Sequence, residues 1–343
     1  MIAALDATYS VGPALSGVGV YCREILAGAA QASPADKFLH CYRPHVLWRG
    51  LRAQRERNAS VRPLFERWAP FSCDLFHGLN QRLPRRRFRR TICTFHDLFV
   101  LTSEYSTPQF RARFAQRARE AAARADLIIC VSAFTASQVE QLLGVDRGRL
   151  RVIHHGTRFV APPPAQERQP WILHVGALQR RKNIVRLVEA FEIAVPPPWR
   201  LILAGGSGFD AEVILQRIAA SPAHERIDVT GWVDDARLAE FYGRASIFAF
   251  PSLDEGFGIP VLEAMAWGLP VVASNGSALP EVCGGAACLV EPGDTAAWSE
   301  ALSRLIGDPD YAASLARLGQ THARQRPWSS VVQETLRVYR ELL

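Results

Sequence analysis

Short apolar runs recur along the chain, separated by longer stretches in which apolar positions return every three or four residues. In the first half, Ile2–Ala7, Phe38–Tyr42, Leu75–His77, Ile92–Phe95, Leu127–Val131 and Arg151–His154 predict strands, and Val18–Ala30, Pro108–Arg124 and Ala133–Leu143 predict helices. The second half repeats the alternation, with strands at Trp171–Val175, Arg200–Ala204, Ile227–Thr230, Ile247–Phe250, Val271–Ala273 and Ala287–Val290. The tail from Ser299 to Leu343 reads as helices broken at Gly307–Pro309 and at Arg326–Pro327. Strands alternating with helices predict parallel α/β sheets.

Between the halves, the ten residues Ala161–Pro170 hold four prolines, which favour an extended connector that joins neither sheet. A chain of 343 residues suits two domains of about 150 each. The expected organisation is an α/β domain over 1–160, a linker over 161–170, a second α/β domain over 171–326 and a terminal helix over 327–343. Two such sheets facing each other would bring the loops at their strand carboxyl ends to one interdomain cleft, where ligands of open α/β sheets bind.

Composition narrows the class. With 48% hydrophobic and 21% charged residues, and no long uninterrupted apolar window, a soluble globular protein without a membrane span is expected. The N-terminus meets Asp6 after five apolar residues and reads as a first strand, not a signal peptide. The seven cysteines form no C-x-x-C pair and predict neither a disulfide framework nor a zinc site; free thiols suit the reducing cytoplasm.

The net charge of +7 is uneven: 24 Arg and Lys face 12 Asp and Glu up to residue 160, and 16 face 21 beyond it. A basic first half points to an anionic partner there, a phosphorylated or lipid-linked acceptor or an anionic membrane surface. The densest run is Leu83 to Arg90, with Arg85, Arg86, Arg87, Arg89 and Arg90. It reads either as a solvated loop or as an acceptor or membrane patch in which cations flank an apolar anchor. Nothing resembles a nucleic-acid recognition module.

The stretch from Pro251 to Val272 carries the chemistry. Between two strands, Gly256-Phe257-Gly258 makes a flexible turn, Pro260 suits a first helical turn, and a helix should run from about Ile259 to Trp267, stopping at Gly268. Backbone N–H groups and the helix dipole converge at Gly258 and Ile259, a seat for phosphate that glycine lets a ligand approach closely. Glu255 and Glu263 bracket that seat. Either Glu alone could be a helix-stabilising acid; as a pair beside an anion site they suit sugar hydroxyls, since a carboxylate accepts two hydrogen bonds at once.

Other stretches suit the same chemistry. Gly176 to Asn183 follows a strand and opens a helix, and its Arg180, Arg181 and Lys182 could neutralise a departing pyrophosphate or form only a solvated basic helix start. Ser16-Gly17-Val18-Gly19 likewise opens a helix after a strand, as a ligand-facing loop or an ordinary turn. His96 ends a strand; a lone His is more often structural, but its placement favours substrate contact. Gly205 to Ala211 fits G-x-G-x-x-A after a strand, with Asp228 downstream, and keeps open an NAD(P)-dependent oxidoreductase. Asp308-Pro309-Asp310 is a literal D-x-D that helix capping accounts for, and no metal is expected.

Glu255 to Ala266 resembles the E-x7-E signature of the retaining glycosyltransferases of family 4, whose fold, GT-B, is two Rossmann-like domains facing a cleft. The resemblance continues through Gly231-Trp232-Val233-Asp234, Leu238–Ala245, Pro251-Ser252, Gly268–Val272 and Ser277–Val282, densest from Trp171 to Pro292 and close to bacterial mannosyltransferase-type members. It implies a nucleoside diphosphate sugar as donor substrate, no further cofactor and no metal, and a saccharide or lipid-linked acceptor on the N-terminal domain. It implies a cytoplasmic enzyme of polysaccharide biosynthesis, free or peripheral on the membrane's cytoplasmic face.

Residue by residue, the resemblance assigns Glu263 to the ribose, Glu255 and His96 to the sugar, and Gly256, Phe257, Gly258, Ile259, Gly176, Gly205, Gly17 and Gly19 to the donor's surroundings. Arg181 and Lys182 fall to the pyrophosphate. The family often has Gly-Arg-Leu where this chain has Gly176-Ala177-Leu178, so Arg181 or Arg180 must replace the missing arginine. Family frequency makes mannose from GDP-mannose the expected donor, and a non-catalytic nucleotide-sugar sensor is the remaining alternative.

Overall fold

In a computed structural model of the chain, residues 1–12, 14–158 and 167–343 are described. By internal contacts they form two units, Met1–Gly156 with Trp328–Leu343, and Thr157–Pro327. The connector expected at 161–170 falls outside the described residues as far as Gln166.

The first unit alternates as β1 (Ile2–Asp6), α1 (Gly17–Ala32), β2 (Lys37–Tyr42), α2 (Leu47–Arg52), β3 (Ala59–Pro63), β4 (Leu75–Gly78), β5 (Thr91–Phe95), α3 (Phe99–Thr102), α4 (Pro108–Arg124), β6 (Leu127–Cys130), α5 (Ala133–Leu143) and β7 (Leu150–Val152). Its strands form one parallel sheet in the order β3-β2-β1-β4-β5-β6-β7. Local chemistry sets the helix ends. Thr107 caps α4 ahead of Pro108, Ser132 accepts the Thr135 N–H at the start of α5, and Gly144 ends α5 in the left-handed region at φ 65°.

Three elements of this unit lack a signal in the sequence: β3, α2 and α3. The strand β3 is a half-buried edge that ends in Pro63, so it has no continuous apolar run. The two helices span only six and four residues, too short for a helical period to register.

The second unit holds β8 (Trp171–Val175), α6 (Ile184–Ala194), β9 (Arg200–Ala204), α7 (Ala211–Ala219), β10 (Ile227–Gly231), α8 (Asp235–Arg244), β11 (Ile247–Phe250), α9 (Ile259–Ala266), β12 (Val271–Ser274), α10 (Leu279–Cys283), β13 (Cys288–Val290), α11 (Thr295–Gly307) and α12 (Pro309–Arg324). Its sheet is also parallel, in the order β10-β9-β8-β11-β12-β13. Fully buried Phe191, Leu203, Trp298 and Leu302 centre the core between this sheet and α6 and α11. The order reverses between β8 and β11, so the loops leaving their carboxyl ends meet at a topological switch point, where α/β sheets bind ligands.

The last helix, α13 (Trp328–Leu342), belongs to the first unit. Val332 lies against Gly28 of α1, only 2.5 Å from where a Cβ would stand, so glycine is required for that approach. The buried Tyr339 hydroxyl meets His77 Nδ1 at 2.7 Å, while His77 Nε2 meets Thr94 Oγ1 at 2.8 Å, fixing the helix to β4 and β5.

Candidate active site

The switch point of the second unit assembles the chemistry. From β8, Gly176 leads into a single 3-10 turn, Arg180–Lys182, closed by Asn183 in the left-handed region at φ 54°. Asn183 donates from Nδ2 to Pro292 O at 2.8 Å and Pro251 O at 3.2 Å, tying this turn to the loop after β11. From β11, the loop runs through Glu255 to Gly258, whose φ of 110° excludes other residues, and into α9, which has no side-chain cap. Pro260 has no N–H and the Val261 N–H is bonded to Gly258 O at 3.0 Å, so with no capping side chain it is the Ile259 N–H that is left to a ligand or solvent.

Glu255 lies between two cations. Its Oε2 receives Arg181 Nη1 at 2.8 Å and its Oε1 receives Lys182 Nζ at 2.5 Å, and all three residues are buried. Lys182 Nζ also stands 4.6 Å from the centre of the Phe250 ring. Burial alone would raise the Glu255 carboxyl, but the two cations outweigh it and bring it down to about 2. Arg180, by contrast, pairs with Asp210 at 3.0 Å and is mostly exposed, so Arg181 supplies the second positive charge beside Lys182. Glu255 N–H donates to Ser277 Oγ at 3.1 Å, and Ser277 itself has φ 55°.

Glu263, on α9, is almost fully buried and already engaged. Arg158 donates to its Oε1 from Nε and Nη2, and Tyr242 OH donates to Oε2 at 3.3 Å. Burial raises the Glu263 carboxyl above its ordinary range, with Arg158 drawing it back. Desolvation works against the Arg158 charge, but attraction to Glu263 and Asp235 outweighs it and raises that guanidinium. Neither Arg158 nor Tyr242 was legible as a site residue. Their only link to the signature is spatial, 105 and 21 residues away along the chain.

The glycines have separate reasons. A Cβ on Gly205 would meet Gly176 O at 2.0 Å, and one on Gly176 would meet Lys182 Cε at 3.2 Å, so both glycines serve the close approach of the loops around Lys182. Phe257 is buried, Gly256 beside it as well, and Ile259 is half-buried. His174 on β8, fully buried, offers Nδ1 to Ala249 O at 3.1 Å and leaves Nε2 without a hydrogen-bond partner. Burial, aided by Lys182, lowers its imidazole to about 4.

In the first unit, Ser16 caps α1 by accepting the Gly19 N–H at 3.4 Å; Gly17 is exposed and Gly19 is buried, with Tyr9 O 2.8 Å from any Cβ it might carry. His96 is buried. Its Nε2 meets Leu79 O at 2.9 Å, its ring stacks on His155 at 5.5 Å and meets the edge of Tyr21 at 4.8 Å, and burial lowers its imidazole to about 4. It is therefore neutral at pH 7.

The basic run is not one patch. Arg86 turns inward, donating to Ala69 O at 2.8 Å and Phe71 O at 3.5 Å, while Arg85, Arg87, Arg89 and Arg90 are exposed. Phe88, the apolar residue among these arginines, stacks on Phe76 at 4.4 Å and packs against the core instead of serving as a membrane anchor, because burying the ring in the aromatic cluster removes more apolar area from water.

The dinucleotide-like glycines and Asp228 have structural partners. Gly205 and Gly208 are set by close approach to Gly176 and Gln179, and Asp228 is held by Arg200 at 2.7 and 2.8 Å. Asp308 caps α12 by accepting the Tyr311 N–H at 2.9 Å. All seven cysteines are free. No helix among the described residues is long and apolar enough to cross a membrane.

The model of Glycosyltransferase Family 4 matches residues 15–158, and that of Glycosyl transferases group 1 matches residues 169–308. The Escherichia coli O-antigen chain mannosyltransferase B is 30% identical over 301 residues, covering 82% of this chain and 78% of the relative. The D-inositol 3-phosphate glycosyltransferase of Nocardia farcinica is 31% identical over 63% of this chain and 53% of its own length. Among solved structures, sucrose-phosphate synthase from Thermosynechococcus elongatus superposes with a TM-score of 0.80 at 22% identity, covering 99% of this chain and 98% of that one. Anabaena HepE in complex with UDP gives 0.76 at 20% identity, covering 99% and 100%. Both likenesses concern the GT-B fold.

Proposed function

The chain belongs to the family 4 glycosyltransferases and is a transferase enzyme of GT-B fold, and from that premise we propose that it moves a hexose, with retention of configuration, from a nucleoside diphosphate sugar to a glycan or lipid-linked acceptor. The nucleotide is assigned to the second unit and the acceptor to the first.

The observation that carries this reading is the buried trio of Arg181, Lys182 and Glu255 beside the uncapped start of α9. Two cations converge on one carboxylate, and their clustered positive charge suits a pyrophosphate leaving group. The charge is already in place and need not reorganise as the sugar–phosphate bond breaks. Glu255, held ionised by its partners, is a poor general acid; its free lone pairs suit hydrogen bonds from sugar hydroxyls. The departing phosphate oxygen then takes the acceptor hydroxyl's proton. Glu263 accepts the ribose hydroxyls, sharing its carboxylate with Arg158 and Tyr242. His96, neutral, takes part as a sugar-positioning group and not as a charged acid.

Mannose from GDP-mannose is the donor this reading favours, because the relative 30% identical over 82% of the chain is a mannosyltransferase. The exposed Arg85, Arg87, Arg89 and Arg90 are assigned to an anionic acceptor or membrane surface on the cytoplasmic side. Thermal shifts with GDP, UDP, ADP, dTDP, NAD and NADP test the donor. A ligand at 100 times its Kd adds about 2.7 kcal/mol, several degrees of melting temperature. GDP standing out supports the assignment, UDP standing out replaces mannose from GDP by a UDP-sugar, and no response to any nucleoside diphosphate overturns the donor site.

A further inference from the structure

Between α1 and α2 the first unit holds a cavity of about 860 Å³ that none of the signature residues lines. Its lining runs from Ser10, Gly12 and Leu15, in the connection from β1 to α1, past His40 and Tyr42 of β2 to Gln31 near the end of α1 and Glu56 ahead of β3.

The wall of the cavity is strongly positive. Arg23 of α1, Arg49 and Arg52 of α2, and Arg55 just beyond bring four guanidiniums, opposed by the single carboxylate of Glu56. That carboxylate is engaged, accepting from Gln31 Nε2 at 2.8 Å. Among the described residues none of the four arginines is in an ion pair with a carboxylate, whereas Asp6, Glu66, Glu104, Glu140 and Glu341 of this unit each pair with another arginine; Arg55 Nη1 donates only to backbone, to Leu51 O and Ala53 O at 3.3 Å. Two of the four are also pre-ordered. The guanidinium carbons of Arg49 and Arg52 stand 5.1 and 5.3 Å from the centre of the Trp48 ring, which fixes flexible side chains before any ligand arrives.

Beneath them, His40 lines the cavity at 4% exposure, and its Nε2 has no hydrogen-bond partner. A buried polar group without a partner carries a desolvation cost that a ligand or bound water can relieve. The cavity therefore combines uncommitted positive charge, two ordered guanidiniums and an unsatisfied polar atom in a space far larger than one phosphate.

We propose that this cavity is the binding site for a diphosphate-bearing end of the acceptor, with the planar guanidiniums of Arg49 and Arg52 meeting the phosphate oxygens and Arg23 and Arg55 flanking them. Arginine forks match phosphate oxygens two at a time, which suits a diphosphate better than a neutral sugar. The proposal rests on the reading above that the nucleotide belongs to the second unit, which leaves this cavity to the other substrate. The diphosphate could be carried by a lipid or by a soluble saccharide.

The test is calorimetric titration of inorganic pyrophosphate into the full chain, with the donor site first saturated by the nucleoside diphosphate of largest thermal shift. The comparison is with Arg49→Ser/Arg52→Ser, whose side chains are exposed and whose loss should leave folding intact, checked by the melting temperature. The expected result is that the wild type binds pyrophosphate and the variant binds it about tenfold or more weakly, with nucleotide affinity unchanged. Equal affinity in both proteins, or no binding by the wild type once the nucleotide site is full, overturns the proposal. Failure of every nucleoside diphosphate to bind would instead count against the donor site, and the pyrophosphate comparison would still judge the cavity.

Co-sedimentation with phosphatidylcholine vesicles, with and without a prenyl diphosphate, separates the two sources. Retention that needs the prenyl diphosphate and is lost in the variant supports the cavity as a seat for a lipid-borne acceptor. Pyrophosphate binding without vesicle retention supports it as a seat for a soluble one.

Discussion

The guanidinium of Arg158 closes on Oε1 of Glu263 through Nε at 3.1 Å and Nη2 at 2.9 Å. This pair occupies the carboxylate that the family signature assigns to the nucleotide ribose. In the proposed assignment, a ribose shares Glu263 with Arg158 or displaces it, which would bring Arg158 into the nucleotide's surroundings.

Removing one partner of a buried pair costs more than the pair contributes, because the other charge is left without compensation. Arg158→Ala is expected to destabilise the second unit by about 2–4 kcal/mol in denaturant titration. Glu263→Gln should weaken nucleoside diphosphate binding about tenfold or more, the cost of losing a charged hydrogen-bond acceptor. Wild-type nucleotide affinity in Glu263→Gln would remove the carboxylate from the ribose site.

In the proposed mechanism the leaving-group role falls to Lys182. Lys182→Ala should cut kcat about 10²-fold or more, as loss of a preorganised charge stabiliser does. Arg180→Ala, at an exposed pair with Asp210, should leave kcat within about twofold, since such pairs contribute little. Turnover unchanged by the loss of Lys182 would sink its assignment.

Acidification should weaken the fold in two windows. In the upper one, burial lowers the imidazoles of His40 and His96 in the first unit and of His174 in the second to about 4, and that of His77 to about 3. Their folded pKa values lie below the unfolded 6.5, so the unfolded chain binds more protons in between; stability is whole above about pH 6.5 and declines as pH falls toward 4. Glu255 acts lower, because its folded value of about 2 lies below the ordinary 4.5. Its contribution is present above pH 4.5 and is lost as pH falls from there to about 2. Urea titrations of wild type, His77→Gln and Glu255→Gln from pH 8 to 2.5 should show each variant with a flatter slope in its own window only.

In the proposed mechanism Arg181 and Lys182 supply the charge that a divalent cation would otherwise bring to the pyrophosphate. Saturating EDTA is accordingly expected to leave turnover unchanged. A loss of tenfold or more that magnesium or manganese restores would assign the leaving-group charge to a metal instead.

Within the basic run the arginines should separate by burial. Arg86→Ala leaves Ala69 O and Phe71 O without their donor and should cost about 1–2 kcal/mol of stability. Arg85→Ser/Arg87→Ser, at exposed positions, should stay within about 0.5 kcal/mol of wild type while weakening retention on anionic vesicles. Loss of nucleotide affinity in that double variant would point away from a surface role.

The alternation of apolar runs with helical periods was enough, read alone, to predict two parallel α/β sheets, because buried parallel strands must be continuously apolar and their crossovers amphipathic. The turn Gly256-Phe257-Gly258 and the helix from Ile259 were legible for a similar local reason: a left-handed glycine followed by Pro260 admits few other conformations. Family signature and spacing also brought out Glu255, Glu263, Arg181 and Lys182.

What spacing could not reveal was which charges meet. The choice of Arg181 over Arg180 depends on the direction in which one 3-10 turn presents its side chains, set by Asn183 and two carbonyls, Pro251 O and Pro292 O, from distant loops. The grip of Arg158 on Glu263, the inward turn of Phe88 and the arginine-lined cavity between α1 and α2 arise the same way. Each joins residues far apart in the chain, and an ion pair or a buried ring is decided by distance and desolvation in three dimensions, quantities that have no period along the sequence.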